Sequence, residues 1–587
     1  MILALTALGD WWEKDEELLL LGPWCVPYGN RKKLESLRWR MLPSPWEDRQ
    51  RLHAASVYAD EVYRRLLPHV SARLNQALGV QEPLAYWRLL IGPWLLHFVH
   101  SLYDRHAHLS DALSFAPDLR TAVLAERCFR TPPTTRDALT WLPTDDHYNW
   151  QLLSEVLGLM GETTTHQPRG KRTVDTTFVR APLPRRTTRI RRCIGLAQAR
   201  VLRTQTGGRR AWLTGITASR PSLLGLALRS GLQLVPAPVA DVLGDRPYEP
   251  VWDERRSSLS EVPASDDFEA VCARMLPRHL PTIYLEGYHD ARRTTRNLYP
   301  YTPSLLVTET EWYMNETYKH LAADALGRGA RLVTAQHGGY YGYASLMPFE
   351  AVEREIGHSF FAWGWADGQP QLRNVPHPIV SRHPPRRRAL STRMLFAVHV
   401  AERYLYRLAP PWPGSLWEPQ RRWQELFVGA LPAQLRRHLA LRPPPREMGQ
   451  SVRQRLCDRY PEITIDSCAE YKQSVARSRL TILERPGTCF LESLAMNGPT
   501  VLFWDPTLWN FRGEAVPYLD ALRRVGILWD SPEGAAGHVE AVYADPATWW
   551  NSAPVQAARG AFAERFALAR RDWPGCWIRA VRAELSA

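Results

Sequence analysis

The chain has 587 residues, of which 45% are hydrophobic and 23% are charged, a composition that excludes wholesale disorder, collagen-like repeats and a coiled coil. Its 74 Lys and Arg residues outnumber 60 Asp and Glu residues, which gives a formal net charge of +14. Nearly all of this positive charge comes from arginines scattered along the chain, without the basic, aromatic-rich stripe of a nucleic-acid-binding surface. The length predicts two large domains or about three to four smaller ones.

The eight cysteines form no CxxC pair, so their spacing favours neither a zinc site nor a redox motif. We expect reduced thiols and a cytoplasmic location. The longest apolar run, Leu89 to Val99, is shorter than the roughly 20 residues of a membrane helix. The sequence therefore predicts a soluble protein, with peripheral association with the inner membrane face left open.

The N-terminal third combines a small β start with a helical region. Ile2 to Leu8 and Leu18 to Leu21 are predicted strands, and from Pro45 to about Gly161 apolar residues recur at helical spacing. Thr163 to Arg192 is rich in Thr, Pro and Arg, which predicts a long surface loop or a segment that orders on binding.

From Ala211 onward, predicted strands alternate with helices, which indicates parallel βαβ units. The predicted strands are Ala211–Ile216, Leu232–Val235, Thr282–Leu285, Ser304–Thr308, Arg331–Ala335 and Phe360–Trp363, with helices that include Pro221–Ser230 and Glu311–Leu326. The Pro- and Arg-rich segment Val375–Arg388 is a predicted interdomain linker.

A second α/β set follows this linker. Its predicted strands are Met394–Val400, Leu480–Leu483 and Thr500–Trp504, its predicted helices are Glu418–His438 and Cys489–Asn497, and the tail from Pro554 to Leu585 is again helical. The sequence therefore predicts an α/β fold with two Rossmann-like domains facing a cleft and a helical N-terminal elaboration at about 45–160. The predicted divisions are 1–385, 386–550 and 551–587.

One candidate anion site lies after the strand Leu480–Leu483. Gly487 allows a tight turn, and Thr488 is a predicted N-cap whose helix would direct N–H groups toward a phosphate. Glu492, four residues into this helix, is a candidate acceptor for ribose or sugar hydroxyls. An ordinary capped helix in an α/β core explains the pattern about equally well.

A second candidate follows the strand Met394–Val400. Arg403, Tyr404 and Arg407 would lie at the carboxyl edge of the sheet, where ligands collect in open α/β folds. Guanidinium groups match the geometry of a pyrophosphate. The alternative is the solvated start of a helix.

The turn Gln336-His-Gly-Gly339 after the strand Arg331–Ala335 is the main candidate on the first domain. Gly338 and Gly339 permit close approach of a ligand, and His337 is a candidate general base. Glu286, His289 and Asp290 follow another predicted strand and are alternative bases or substrate-binding groups. Spacing alone leaves the choice among them open.

Tryptophan is abundant, with 24 residues. Trp11, Trp12 and Trp46 occur in polar contexts and are candidates for stacking on the acceptor, whereas Trp87 and Trp94 fit the helical core pattern.

Several blocks resemble the LIC12162 family of bacterial transferases. They are Leu5-Thr-Ala-Leu8, Leu21-Gly-Pro-Trp-Cys25, Pro45-Trp-Glu-Asp-Arg49, Tyr86-Trp-Arg-Leu-Leu-Ile-Gly-Pro-Trp94, Gln336-His-Gly-Gly339, Tyr404-Leu-Tyr-Arg-Leu408, Thr488-Cys-Phe-Leu-Glu-Ser-Leu-Ala495 and Phe503-Trp-Asp-Pro506. They run in order over almost the whole chain. Before Thr488 the chain departs from the family pattern, because Glu484-Arg-Pro stands where Ser/Thr-Tyr-Asn is expected.

The resemblance implies a GT-B-like, nucleotide-sugar-dependent glycosyltransferase of surface-polysaccharide assembly, acting on a glycan or lipid-linked acceptor. The C-terminal domain would bind the donor phosphates through Arg403, Arg407 and the helix at Thr488, while the first domain would bind the acceptor. We expect no metal and no cofactor, since fixed positive charge would stabilise the leaving phosphate. Two alternatives are a CDP-glycerol-type polyol-phosphate transferase and an Arg-rich nucleic-acid-binding protein.

Overall fold

The computed structural model describes residues 1–9, 12, 16–28, 31–116, 119–163, 172–174, 210–381, 391–399, 402–409, 417–444 and 451–587. Within these residues the strands form three sheets, and every pair of neighbouring strands in them runs parallel. Most of their residues are buried apolar ones, as expected for parallel sheets covered on both faces.

The N-terminal sheet has the order β3-β2-β1-β4-β5. Its strands are β1 (Ile2–Ala4), β2 (Leu18–Leu20), β3 (Trp39–Met41), β4 (Arg120–Leu124) and β5 (Arg172–Val174). The sequence predicted only the first two, because the other three are short and lie between helical or polar segments. β5 falls inside the predicted loop 163–192; residues 164–171 and 175–192 of that loop lie outside the described part of the chain.

The helical elaboration predicted for this region is present. Its helices are Arg31–Glu35, Arg49–Leu78, Leu84–Phe115, Thr135–Thr144 and Asp146–Thr163. The Asp48 side chain accepts hydrogen bonds from the backbone of Gln50 and Arg51 and so starts the first long helix, which ends at Gly79 with φ +64°. The two long helices pack against each other through a largely apolar interface.

The middle sheet has the order β11-β10-β9-β8-β6-β7. Its strands are β6 (Ala211–Thr214), β7 (Leu234–Pro236), β8 (Leu305–Thr308), β9 (Arg331–Ala335), β10 (Ser359–Ala362) and β11 (Leu372–Asn374). The helices of this part are Arg220–Arg229, Glu254–Ser257, Asp267–His279, Tyr288–Leu298, Glu311–Met314, Glu316–Leu326 and Pro348–Ile356. The strand predicted at Thr282–Leu285 is wrong: Thr282–Tyr284 forms a 3-10 turn whose backbone is hydrogen-bonded to Pro132 and Pro133.

The C-terminal sheet has the order β14-β13-β12-β15-β16-β17, a doubly wound arrangement whose order reverses between β12 and β15. Its strands are β12 (Met394–Ala397), β13 (Leu439–Arg442), β14 (Thr464–Ile465), β15 (Leu480–Leu483), β16 (Thr500–Phe503) and β17 (Leu528–Trp529). The accompanying helices are Trp417–Ala430, Ala433–Arg436, Val452–Arg459, Tyr471–Ala476, Thr488–Ala495, Val516–Arg524, Pro532–Val542 and Pro546–Trp550. Residues 382–388 of the predicted linker lie outside the described residues.

Two C-terminal helices, Ala553–Phe566 and Trp573–Ser586, complete the chain. The last one returns to the middle sheet, where its fully buried Glu584 accepts hydrogen bonds from Arg331 (3.0 Å) and Ser359 (2.8 Å) and pairs with Arg373. The chain end therefore ties the C-terminal part back to the first Rossmann-like unit.

The middle and C-terminal sheets meet through the loops at their carboxyl edges. Tyr343, in the loop after β9, donates a hydrogen bond to the Pro486 carbonyl after β15 (2.6 Å), and the Gly339 N–H donates to Thr488 Oγ1 (3.0 Å). The predicted fold class, with two Rossmann-like units facing each other and a helical N-terminal region, is confirmed.

Candidate functional site between the two sheets

The turn after β9 is shaped by Gln336, which is fully buried. Its side-chain oxygen accepts hydrogen bonds from Trp363 N (3.0 Å) and Trp365 Nε1 (2.7 Å), and its amide donates to the Gly338 carbonyl (2.8 Å). Internal hydrogen bonds therefore engage both ends of the Gln336 side chain and hold the turn in shape, while its contact with the acceptor stays a prediction.

Gly338 and Gly339 lie where the loop after β9 of the middle sheet meets the loop after β15 of the C-terminal sheet. A Cβ atom on Gly339 would lie 2.5 Å from the Gly487 carbonyl carbon and 2.7 Å from the Thr488 nitrogen, and one on Gly338 would lie 3.1 Å from Thr488 Oγ1. These distances are too short for any side chain at position 339, so glycine is required there by the close approach of the two loops.

We expect Gly339→Ala to disrupt this interface. Accommodating the added methyl group requires the loops to separate, at a cost of about 1–3 kcal/mol. The melting temperature and nucleotide binding should both fall, as measured by thermal unfolding with and without nucleotide. Gly513→Ala is the matched control, since a Cβ there meets no atom within 4 Å; equal behaviour of the two variants would contradict the requirement for glycine at 339.

His337, the second residue of the turn Gln336-His-Gly-Gly339, lies beside a buried carboxylate. Its Nδ1 lies 3.2 Å from Glu353 Oε1, and the Tyr341 hydroxyl lies 3.1 Å from the same nitrogen. The His337 side chain is 27% exposed, whereas Glu353, on the helix Pro348–Ile356, is fully buried. In the tautomer that carries its proton on Nδ1, beside Glu353, the lone pair of His337 is on Nε2.

The environment of His337 keeps its proton affinity high. Burial by itself lowers the pKa of His337, but the charge and hydrogen bond of Glu353 outweigh burial, so the pKa is raised above its ordinary value. Burial also raises the pKa of Glu353, although His337 opposes that shift. A histidine that is partly exposed and oriented by a carboxylate has the arrangement of a general base.

Arg407 and Arg485 place positive charge near Tyr340, three residues after His337, and the charge of Arg407 also acts on His337. Burial raises the pKa of Tyr340 to about 12, while the charges of Arg485 and Arg407 act in the opposite direction. The Arg485 guanidinium lies 5.5 Å from the centre of the Tyr340 ring, and the Arg407 guanidinium lies 5.1 Å from that of Tyr406. Both arginines therefore lie within electrostatic range of the interdomain contact.

Tyr340 is itself held in an unusual conformation. Its φ of +76° is in the left-handed region, which costs a residue other than glycine about 1–3 kcal/mol. Its ring stacks on Trp509 with centroids 5.5 Å apart and an interplanar angle of 7°. Among the described residues, the buried Tyr340 hydroxyl and Arg485 Nη1 have no hydrogen-bond partner, so both are available to a ligand.

The start of the helix Thr488–Ala495 borders the same place. The N-cap is Gly487, so the prediction of Thr488 as N-cap is wrong; its hydroxyl accepts from Gly339 instead. A Cβ on Gly487 would lie 2.9 Å from Arg485 Nε and 3.4 Å from the Tyr340 hydroxyl. The helix start, Arg485 and Tyr340 therefore converge, while the role of the half-buried Glu492 stays a prediction.

Arg403 and Tyr404 are bound to the N-terminal part of the chain. Arg403 donates to the Trp24 carbonyl (2.8 Å) and pairs with Asp146 (2.8 Å), and the buried Tyr404 hydroxyl donates to Asp146. The two residues anchor the loop 402–409 to the N-terminal helices, and their role in binding the donor stays a prediction. The same loop carries Arg407, whose charge acts on His337 and Tyr340.

Glu286, His289 and Asp290 belong to another part of the surface. Glu286 pairs with buried Arg256, and Asp290 accepts hydrogen bonds from Arg246 and Tyr248 (both 2.7 Å). These two carboxylates therefore hold the neighbouring loop in place. His289 is exposed and is the second residue of the helix Tyr288–Leu298.

The long helix Leu84–Phe115 indicates how far the Glu286–Asp290 group lies from His337. Tyr288 packs on Tyr86, whereas His97 contacts Tyr313, Tyr406 and Phe349, and Phe349 also contacts His337. Tyr86 and His97 are eleven positions apart in the helix, which corresponds to about 16 Å. The structure therefore places the Glu286–Asp290 group apart from His337, and its catalytic role stays a prediction.

The tryptophans predicted to stack on an acceptor are not surface rings. Trp12 is 9% exposed and Trp46 is 1% exposed, and both belong to the N-terminal core. Trp11 lies outside the described residues. Trp87 and Trp94 are fully buried, which confirms their predicted core positions.

A family model described as LIC12162 family transferase matches residues 1–581. The chain belongs to the LIC12162 family of transferases. Among curated proteins, none matches this LIC12162 family member.

Solved structures similar to this LIC12162 family transferase include three proteins of low identity. They are alpha,alpha-trehalose 6-phosphate synthase from Burkholderia multivorans (13% identity, TM-score 0.35, covering 64% of this chain and 100% of that one), MurG from Acinetobacter baumannii (11%, 0.32, 64% and 99%) and the spinosyn rhamnosyltransferase SpnG (12%, 0.30, 64% and 100%). In the described part of the LIC12162 family chain, no helix has both the length and the apolar character that crossing a membrane requires.

Proposed function

We propose that this LIC12162 family transferase moves a sugar from a nucleotide-activated donor to an acceptor hydroxyl. The observation that carries the proposal is that the carboxylate-oriented His337 lies in the same loop as Tyr340, on which the charges of Arg407 and Arg485 act. We place both substrates in a crevice at this point. A transfer of this kind needs a base for the attacking hydroxyl and fixed positive charge for the departing phosphate.

In the proposed reaction, His337 Nε2 removes the proton from the acceptor hydroxyl, and Glu353 stabilises the resulting imidazolium. The acceptor oxygen forms a bond to the anomeric carbon of the donor sugar, and the bond from that carbon to the phosphate oxygen breaks. The electron pair stays on the nucleotide phosphate, near Arg407, Arg485 and the helix start at Thr488. A direct displacement of this type inverts the anomeric configuration.

Two features support placing the donor on the C-terminal sheet. Arg485 and Gly487 follow β15, and His399 follows β12, so the residues lie at the reversal of strand order, where α/β sheets bind ligands. Guanidinium groups and exposed helix N–H groups both favour a phosphate. Metal independence and a surface-glycan or lipid-linked acceptor remain parts of the proposal.

A thermal-shift screen with UDP, GDP, CDP, CMP and dTDP tests the donor class. A nucleotide at a hundred times its Kd should stabilise the protein by about 2.7 kcal/mol. With the matching nucleotide sugar, transfer should release the nucleotide with all donor phosphates and move no phosphorus from the donor into the product. Donor-derived phosphorus in the product would instead favour the polyol-phosphate transferase.

A further inference from the structure

A cluster of buried polar side chains lies at the end of β15, beside Arg485. Glu484, the residue before Arg485, is 4% exposed, and Gln420, on the helix Trp417–Ala430, is 3% exposed. His399, which follows β12, completes the cluster. All three lie at the place where the strand order of the C-terminal sheet reverses.

Internal hydrogen bonds engage one oxygen of the Glu484 carboxyl. Glu484 Oε1 accepts from the His399 backbone N–H (2.6 Å) and from Gln424 Nε2 (2.8 Å), and Gln420 Nε2 lies 3.5 Å away. Gln424 is fixed in turn, because its oxygen accepts from Arg455 Nη2 (2.7 Å). The orientation of the Glu484 carboxyl is therefore set by its surroundings.

Three other polar atoms of the cluster have no hydrogen-bond partner among the described residues. Within the described residues, the buried atoms Glu484 Oε2, Gln420 Oε1 and His399 Nε2 form no hydrogen bond. Leaving buried polar atoms unpaired costs free energy, so a bound group that pairs with them is favoured. Burial raises the pKa of Glu484 to about 7, so its carboxyl can accept or donate a hydrogen bond near neutral pH. Burial, followed by the charges of Arg485 and Arg407, holds the pKa of His399 well below its usual range, so its ring is neutral.

The chemistry of these atoms selects hydroxyl groups. An anion is disfavoured beside the Glu484 carboxyl and the Gln420 carbonyl, whereas the hydroxyls of a sugar ring can both donate to and accept from such groups. We propose that Glu484, Gln420 and His399 form a subsite that accepts hydrogen bonds from adjacent hydroxyls of a donor sugar ring, next to the phosphate-binding arginines. The subsite rests on the proposed function, since it binds part of the same donor.

Two rings of a nucleotide sugar carry adjacent hydroxyls, the ribose and the transferred sugar. Calorimetric titration of UDP, GDP and CDP, their 2′-deoxy counterparts, UDP-glucose and GDP-mannose distinguishes them. The variants are Glu484→Gln, which keeps the shape of the carboxyl, and Gln420→Ala; Gln369→Ala, at an exposed glutamine, is the matched control.

We expect Kd to rise about fivefold in Gln420→Ala and about tenfold in Glu484→Gln, while Gln369→Ala matches the wild type. If the subsite holds the ribose, the loss appears with the diphosphates and shrinks with their 2′-deoxy forms. If it holds the transferred sugar, the loss appears only with the nucleotide sugars.

Unchanged affinity of both variants for every probe, with unchanged melting temperatures, would overturn the subsite and leave the proposed function standing. A loss confined to bases that carry an amino group would also overturn it, since that pattern indicates base recognition. Failure of the wild type to bind any of these nucleotides would overturn the proposed function and the subsite with it.

Discussion

Replacing His337 by alanine should lower kcat by about a hundred- to ten-thousandfold, the range that a positioned general base contributes. Nucleotide affinity should stay within about twofold of the wild type, because the groups proposed to hold the phosphate lie on other loops. Steady-state kinetics with the donor identified by the nucleotide screen, together with titration of the nucleotide alone, measures both quantities.

The matched control is His69→Ala, at an exposed position of the helix Arg49–Leu78, which should turn over at the wild-type rate. Normal turnover in His337→Ala would remove this residue from the mechanism. A parallel loss of nucleotide binding would show instead that the turn after β9 had collapsed.

The pH dependence gives a second test of the same base. His337 must be unprotonated to accept a proton, and Glu353 raises the pKa of His337, so kcat/KM should fall as the pH drops through that raised value. Glu353→Gln removes the negative charge, which lowers the pKa of His337 and moves the acidic limb to lower pH. An unmoved limb would contradict the pairing of His337 with Glu353.

The main strands and turns of the two Rossmann-like units could be predicted from the sequence. β9 and β15 have the predicted bounds, since each is a short apolar run flanked by polar or glycine-rich segments. The Thr282–Leu285 run carries the same apolar signal but forms a 3-10 turn, because its backbone is hydrogen-bonded to residues 132 and 133. Tertiary contacts of this kind leave no local pattern.

In the site, the positions of some residues could be predicted from the sequence, but their interaction partners could not. His337 could be located because it follows a strand in a glycine-rich turn, but Glu353 stands on a later helix with no spacing that identifies it. Arg403 and Arg407 are equivalent by sequence, four residues apart in one loop. Only the fold separates them, by bringing Asp146 and Trp24 to Arg403.

Arg485, Glu484 and His399 were not predicted as site residues, although each directly follows or closely follows a strand. The signal that could have found them is their place after β12 and β15, the adjacent strands at which the strand order reverses. Adjacency of strands far apart in sequence is a property of the sheet, so it became visible only with the fold.

Arg407→Ala should nearly abolish stabilisation by the nucleotide. Charge-assisted hydrogen bonds contribute about 1.5–3 kcal/mol, so their loss should raise Kd about ten- to hundredfold. At a concentration that is a hundred times the wild-type Kd, a hundredfold rise reduces the stabilisation from about 2.7 to about 0.4 kcal/mol. Thermal unfolding over a range of nucleotide concentrations measures this change.

Two further variants serve as controls. Arg293→Ala tests for a general effect of losing one positive charge, and Arg403→Ala tests for destabilisation of the loop 402–409. Arg293→Ala removes one positive charge at a side chain that is 71% exposed and should leave the nucleotide-dependent shift unchanged. Arg403→Ala should lower the melting temperature without nucleotide, because it releases the anchor to Asp146 and Trp24, whereas Arg407→Ala should not. If Arg407→Ala retained the full nucleotide-dependent shift, the donor phosphate would have to bind elsewhere, and the proposed pairing of His337 with Arg407 across one crevice would fail.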